Sequence, residues 1–243
     1  MPHLGRRALA EAIGTYFLVL IGPGAAMVDA YSHGAIGHAG IALAFAFVVL
    51  AMIFALGHIS GAHINPAVTL TFWSLGRFRG RDVPAYVAAQ CTGAVAASFT
   101  MVTIVGPTGR FGATVPAVSV GGAFAVEWLL SFVLMLVIMA VSTDERVTPG
   151  CGGMAVGLTV GFCAMAGGPL TGASMNPARS LGPAVAGGLW TTHWIYWVAP
   201  VTAMLVAGRV YEYLRPAGTA AVPVGVDPGA GGRVTADTHA AHT

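Results

Sequence analysis

Ser60-Gly61-Ala62-His63-Ile64-Asn65-Pro66-Ala67-Val68-Thr69-Leu70 returns, at an offset of 111 residues, as Thr171-Gly172-Ala173-Ser174-Met175-Asn176-Pro177-Ala178-Arg179-Ser180-Leu181. Six of the eleven positions are identical, and two more exchange serine for threonine. Each copy sets Asn-Pro-Ala at the head of a short apolar run, about 66–75 and about 177–187. Neither run reaches the roughly 20 residues that a membrane-crossing helix needs. Asparagine is a favoured helix N-cap, and proline suits the first helical position. Each run therefore reads as a half-helix that enters the bilayer from one face and stops.

Around these runs lie six longer apolar stretches, at about 8–28, 37–56, 83–105, 121–142, 152–168 and 193–214. Each reads as a spanning helix. The first begins so near the start, and is so long, that it reads as a span rather than a cleavable signal. Each half of the chain, about 5–105 and about 121–215, then holds three spans and one half-helix. Three is odd, so the second half enters the bilayer inverted, and the half-helices meet near the midplane. Glu11 and Glu127 echo one another early in the first and fourth spans. The expected fold is an all-α membrane protein of six transmembrane helices and two re-entrant half-helices, in one domain over 1–215.

Composition agrees. Of 243 residues, 56% are hydrophobic and 8% charged, where soluble domains carry about 25% charged residues. All 11 basic residues are arginine, and the net charge of +2 excludes a nucleic-acid footprint. Arg6, Arg7, Arg77, Arg79, Arg81, Arg146, Arg209 and Arg215 fall on one side of the expected topology, against Arg110 and Arg179 on the other. The positive-inside rule then places both termini in the cytoplasm of a multi-pass cell-membrane protein. Residues 216–243, rich in Ala, Gly, Pro and Thr, read as a disordered cytoplasmic tail. Cys91, Cys151 and Cys163 lack metal or redox spacing and read as inert thiols. No cofactor or metal site is expected. Gly121-Gly122 and Gly152-Gly153 suit close helix packing.

The repeated motif carries its own chemistry. The side-chain oxygen of Asn65 or Asn176 can cap its own half-helix, leaving the NH2 group free to face a lumen. Both helix N-termini carry a partial positive charge of about half a unit. Water can accept hydrogen bonds at such a point, whereas cations and hydronium meet a barrier. Arg179, where the first half has Val68, adds a permanent charge at membrane depth.

At these residues the chain resembles the major intrinsic protein family, the aquaporins and glycerol facilitators. Gly57-His58-Ile59-Ser60-Gly61-Ala62-His63 resembles the family's first re-entrant loop. Gly172 to Ser180 resembles its second, especially in plant nodulin-like and bacterial members. Ala10-Glu11-Ala12-Ile13-Gly14-Thr15 and Ala89-Gln90-Cys91-Thr92-Gly93-Ala94 match signatures on the first and third spans. The resemblance implies a homotetramer with one pore per subunit, conducting water and small uncharged solutes such as glycerol while excluding protons and ions. It implies a filter at Phe45, Ala164, Ala173 and Arg179, and it makes Glu11 and Glu127 acceptors for re-entrant-loop backbone rather than ion-coupling groups.

The filter differs from that of water-specific members, which carry histidine where Ala164 stands. Two alanines leave room for larger solutes. Against that, glycerol facilitators carry aspartate after the filter arginine and a basic residue four positions on, where this chain has Ser180 and Ala184; Tyr196-Trp197 also resembles the water-channel pattern. The filter decides what fits, because it sets the width. Ala173 replaces the cysteine of mercury-sensitive members, so mercury inhibition is not expected there. Phe45 is an ordinary core aromatic by pattern alone. His58 and His63 read as loop braces rather than a metal pair or pH sensor, and His193 and Trp194 as interfacial anchors. The alternatives are a dedicated glycerol, urea or metalloid-acid facilitator and, from inverted repeats and broken helices alone, a secondary transporter. An enzyme would need a nucleophile with its base, or a ligand set; the sequence has neither.

Overall fold

The computed structural model describes residues 2–143 and 151–215. Arg146 and the stretch 216–243 lie outside them. Eight α-helices run through the described residues: α1 (Leu4–Tyr31), α2 (Gly37–Ser60), α3 (Pro66–Ser74), α4 (Val83–Val105), α5 (Val120–Thr143), α6 (Cys151–Thr171), α7 (Pro177–Gly187) and α8 (Ile195–Leu214). The half-helices α3 and α7 have 9 and 11 residues. Five long helices, α1, α2, α4 (with its preceding turn), α5 and α6, have the length and hydropathy to cross a membrane. The sixth, α8, is less clear-cut: its 20 residues include Arg209, Tyr211, Glu212 and Tyr213, which lower its hydropathy. It nevertheless packs along α5 as α4 packs along α1.

The packing repeats across the two halves. Helix α1 lies on α2 and α4, and α5 lies on α6 and α8. Helices α2 and α6 cross between the halves. Each half-helix leans on the last long helix of the other half, α3 on α8 and α7 on α4. That exchange is what an inverted repeat requires.

Large apolar side chains such as Leu9, Phe47, Phe99, Leu129 and Phe162 point outward, as suits helices bathed in lipid. Between helices the contacts rest on small residues. A Cβ at Gly93, Gly157 or Gly182 would strike the backbone of Ala12, Ala46 or Ala94. Of the expected glycine pairs, Gly153 does pack closely, on Phe54, but Gly121 faces open space.

Charge gathers at one end of the bundle. Arg7 at the start of α1 pairs with Asp82 ahead of α4 at 2.9 Å, and Arg77 after α3 pairs with Glu212 near the end of α8 at 2.6 Å. At the other end a short turn, Gly109–Gly112, carries Arg110 and packs against α1 and α7.

Candidate functional site

The chain between α2 and α3, and its counterpart between α6 and α7, is held in a conformation that side chains avoid. Gly61, Ala62 and Ile64 have φ of 89°, 46° and 41°; Gly172, Ala173 and Met175 have 88°, 43° and 52°. Left-handed backbone at a non-glycine residue costs on the order of 1–3 kcal/mol and persists only when its surroundings impose it. Two buried carboxylates do so. Glu11 accepts the backbone N–H groups of His63 (2.9 Å) and Ile64 (2.7 Å), the Ser60 hydroxyl (2.7 Å) and the Gln90 amide (2.8 Å). Glu127 accepts the N–H groups of Ser174 and Met175, both at 2.9 Å, and the Thr171 hydroxyl at 2.7 Å. Both are fully buried, and the loop-acceptor role expected of them is the contact observed.

Tyr86 on α4 donates to Ser60 O, and Tyr196 on α8 donates to Thr171 O, each at 2.8 Å. Sequence reasoning missed this pair of braces. The available signal was a tyrosine on the last long helix of each half at nearly the offset of the main repeat.

Asn65 and Asn176 are the N-caps of α3 and α7. Asn65 Oδ1 accepts from Ala67 N at 2.9 Å; Asn176 Oδ1 accepts from Ala178 N at 3.0 Å and Arg179 N at 3.3 Å. Pro66 and Pro177 occupy the first helical positions. The amide NH2 groups are not wholly free, which corrects the sequence expectation. Asn65 Nδ2 donates to Met175 O and Asn176 Nδ2 donates to Ile64 O, each at 2.8 Å. The positive φ at residues 64 and 175 sets each carbonyl where the opposite amide meets it. A primary amide carries two N–H groups, so each asparagine keeps one for the lumen. The exchange brings the two helix N-termini to a common point.

That point borders a cavity of about 410 Å³. At one end it is lined by Phe54, His58, Val141, Ser142 and Gly153, at the ends of α2, α5 and α6; it passes Asn65 and Asn176 and reaches Phe45, Ala173 and Arg179. Valine, leucine and phenylalanine make up much of its wall, among them Val49, Val68, Leu134 and Val156.

Of the four expected filter residues, three line this cavity. The Arg179 guanidinium stands 5.0 Å from the centroid of the Phe45 ring. Arg179 donates from Nη1 to Gly112 O at 3.1 Å and from Nη2 to Gly172 O at 3.4 Å. Its Nε–H, buried, has no protein partner, and the residue is 5% exposed. Ala164 packs with Ala173 and Ala42 in a small apolar cluster and is not among the cavity-lining residues.

The histidines behave differently from one another. His58 is in the last turn of α2, not on a loop, and borders the cavity. His63 is the loop brace: Nδ1 is 3.1 Å from Thr69 Oγ1, and Phe72, Phe78 and Tyr86 surround the ring. In the second half a hydroxyl chain takes its place. Ser180 accepts from Thr114 at 2.8 Å and meets Ser174 Oγ at 2.5 Å. Near the start of α8, Trp197 Nε1 donates to His193 Nε2 at 3.1 Å, and Trp194 is half exposed. Among the described residues no group of three His, Cys, Asp or Glu is placed to hold a metal ion.

Two capped half-helices meeting end to end beside a lined cavity, within a bundle of apolar helices, define a membrane channel. The sequence profile of the family described as "Major intrinsic protein" matches residues 2–211, and the chain belongs to that family of membrane channels for water and small solutes, which are not enzymes. Aquaporin NIP1-2 of Oryza sativa subsp. japonica is 44% identical over 215 residues, spanning 85% of this chain and 71% of its own. Aquaporin NIP1-1 of Zea mays is 43% identical over 213 residues, spanning 86% and 75%. Among solved structures, the aquaglyceroporin from Plasmodium falciparum superposes with a TM-score of 0.74 at 28% identity, over 86% of this chain and 96% of that one.

Proposed function

We propose that residues 1–215 form a passive pore in the cell membrane that conducts water and glycerol-sized neutral solutes and excludes protons and ions. The observation that carries this is the reciprocal exchange, Asn65 to Met175 O and Asn176 to Ile64 O. It aims two helix N-termini and two spare amide N–H groups at one position. A water there accepts from both amides and turns its protons outward, so it cannot relay one inward; the two dipoles oppose any cation.

The proposed filter is Phe45, Ala164, Ala173 and Arg179. The orphan Nε–H of Arg179 is a donor for a passing oxygen, and the Phe45 ring is the apolar wall opposite. A glycerol molecule has both features, hydroxyls along one side and C–H groups along the other. The alanines at 164 and 173 favour width over a second polar contact, and the aquaglyceroporin likeness agrees with that. A secondary transporter would need a group that changes charge state at the site. Arg179 does not deprotonate, and Glu11 and Glu127 have their oxygens engaged by loop donors. The arginines of the charged end, around Arg7 and Arg77, support cytoplasmic termini, and the family resemblance implies a homotetramer.

The test is stopped-flow swelling of proteoliposomes under water and then glycerol gradients. Both fluxes should exceed those of empty liposomes, with no saturation and no ion dependence. Ala164→His should cut glycerol flux about tenfold, the effect of roughly 1.4 kcal/mol of added barrier, while sparing water. Equal glycerol flux in that variant would refute the filter assignment; water flux no greater than in empty liposomes would refute the pore.

A further inference from the structure

Helix α1 contributes none of the filter residues, yet its Gly22-Pro23-Gly24 step backs two of them. All three residues are buried in the middle of a 28-residue helix. Glycine and proline are poor helix formers, so their presence there calls for a packing reason. A Cβ at Gly22 would overlap the Phe45 ring, striking Cε1 and lying 2.6 Å from Cδ1 and 2.7 Å from Cζ. The ring therefore rests directly on bare backbone.

One residue along, Pro23 supports the other side of the filter. Gly112, whose carbonyl accepts from Arg179 Nη1, sits on Pro23 so closely that a Cβ on Gly112 would lie 2.8 Å from Pro23 Cβ. Gly112 has φ of 65°, so glycine is needed there for conformation as well as space. Phe45 and Arg179 face each other 5.0 Å apart; the Phe45 ring rests on Gly22, and Gly112, which holds Arg179, rests on the adjacent Pro23.

We infer that Gly22 is a specificity-determining position: by letting the Phe45 ring lie flush against α1, it sets the width of the constriction. The inference rests on the filter proposed above. A methyl at residue 22 leaves the ring one way to go, since Phe45 has α1 behind it and the cavity and Arg179 in front. The ring would move into the lumen. Water needs a narrow path and still passes; a polyol, nearer the limit of the opening, does not.

The experiment compares wild type, Gly22→Ala, Phe45→Leu and the double variant in proteoliposomes, with water and glycerol permeabilities measured on the same vesicles. Gly22→Ala should lower the glycerol-to-water ratio about tenfold. The double variant, with a smaller side chain over the new methyl, should regain the ratio of Phe45→Leu. A purely structural defect would scale both fluxes together and leave the ratio unmoved. An unchanged ratio in Gly22→Ala, or a double variant as restricted as the single one, overturns the inference. If Gly22→Ala cannot be recovered in membranes, the comparison of Phe45→Leu with the double variant decides: equal ratios support the steric account, and loss of the double variant as well overturns it. A wild type that conducts no water defeats the channel reading itself, whereas a conducting wild type with an indifferent Gly22→Ala defeats this inference alone.

Discussion

The two re-entrant loops share a backbone and differ in their side chains. Their strained positions match, with φ of 89°, 46° and 41° in one and 88°, 43° and 52° in the other. Each has a buried glutamate beneath it, a tyrosine brace, an asparagine cap and a carbonyl given to the opposite amide. The differences that change polarity or charge fall at Val68 against Arg179 and at His63 against Ser174. The first loop packs His63 among three aromatic rings; the second runs a chain of hydroxyls from Ser174 through Ser180 to Thr114. In the proposed function the shared frame builds the midpoint barrier, which needs two opposed helix ends. The unshared side chains are then left to build the proposed selectivity, which needs one polar and one apolar wall.

Removing the frame should have the largest effect. Glu11→Ala or Glu127→Ala leaves two buried loop N–H groups without an acceptor, at on the order of 1–3 kcal/mol for each, besides releasing strained backbone. Loss of folded channel is expected, seen as reduced monodisperse yield in detergent and a lower thermal midpoint. Glu11→Ala should be the worse, because Glu11 holds the Gln90 side-chain amide as well, a contact with no counterpart at Glu127 among the described residues. Equal or milder loss for Glu11→Ala would show that the Gln90 contact adds nothing to the first frame.

Making the second loop like the first is the next step down. Arg179→Val should leave the fold standing, since Val68 occupies the same place on α3, and should raise proton or cation leak about tenfold, the effect of roughly 1.4 kcal/mol taken off a barrier. A liposome-entrapped pH dye reads it. No rise would place the whole barrier at the asparagines. The smallest effect belongs to the braces. Tyr86→Phe and Tyr196→Phe each delete one hydrogen bond to a loop carbonyl, worth about 1 kcal/mol; Tyr86→Phe also takes the acceptor from Arg7 Nε, 2.9 Å away, and should lower thermal stability the more. Equal losses would mean that the Arg7 contact adds nothing to the Tyr86 brace.

How much of this was legible in the sequence follows from the same comparison. The motif repeat and the paired glutamates announced themselves because both halves keep them, and the half-helices followed from length and the Asn-Pro start. Helix α8 reads as a span from its apolar core even though Arg209 and Glu212 thin its far end. The bracing role of Tyr86 and Tyr196 stays hidden, even where Tyr196-Trp197 resembles a family pattern, because a sequence does not show which carbonyl a tyrosine reaches. The asparagine amides were read as wholly free for a similar reason: a sequence shows a cap, but not the carbonyl that the opposite loop brings to it. Phe45 is one phenylalanine among 11, and only the family resemblance singles it out. Gly22 and Gly112 act by what they lack, so only their neighbours reveal them.

The most direct test replaces both caps, Asn65→Asp with Asn176→Asp, and follows proton entry and water flux in the same proteoliposomes. A carboxylate can still accept the cap hydrogen bonds but donates nothing to the lumen and cancels the positive helix ends. Water flux should persist while proton leak rises above that of wild type. Unchanged proton leak, with water flux intact, would contradict the claim that the two opposed helix ends and their amides form the barrier.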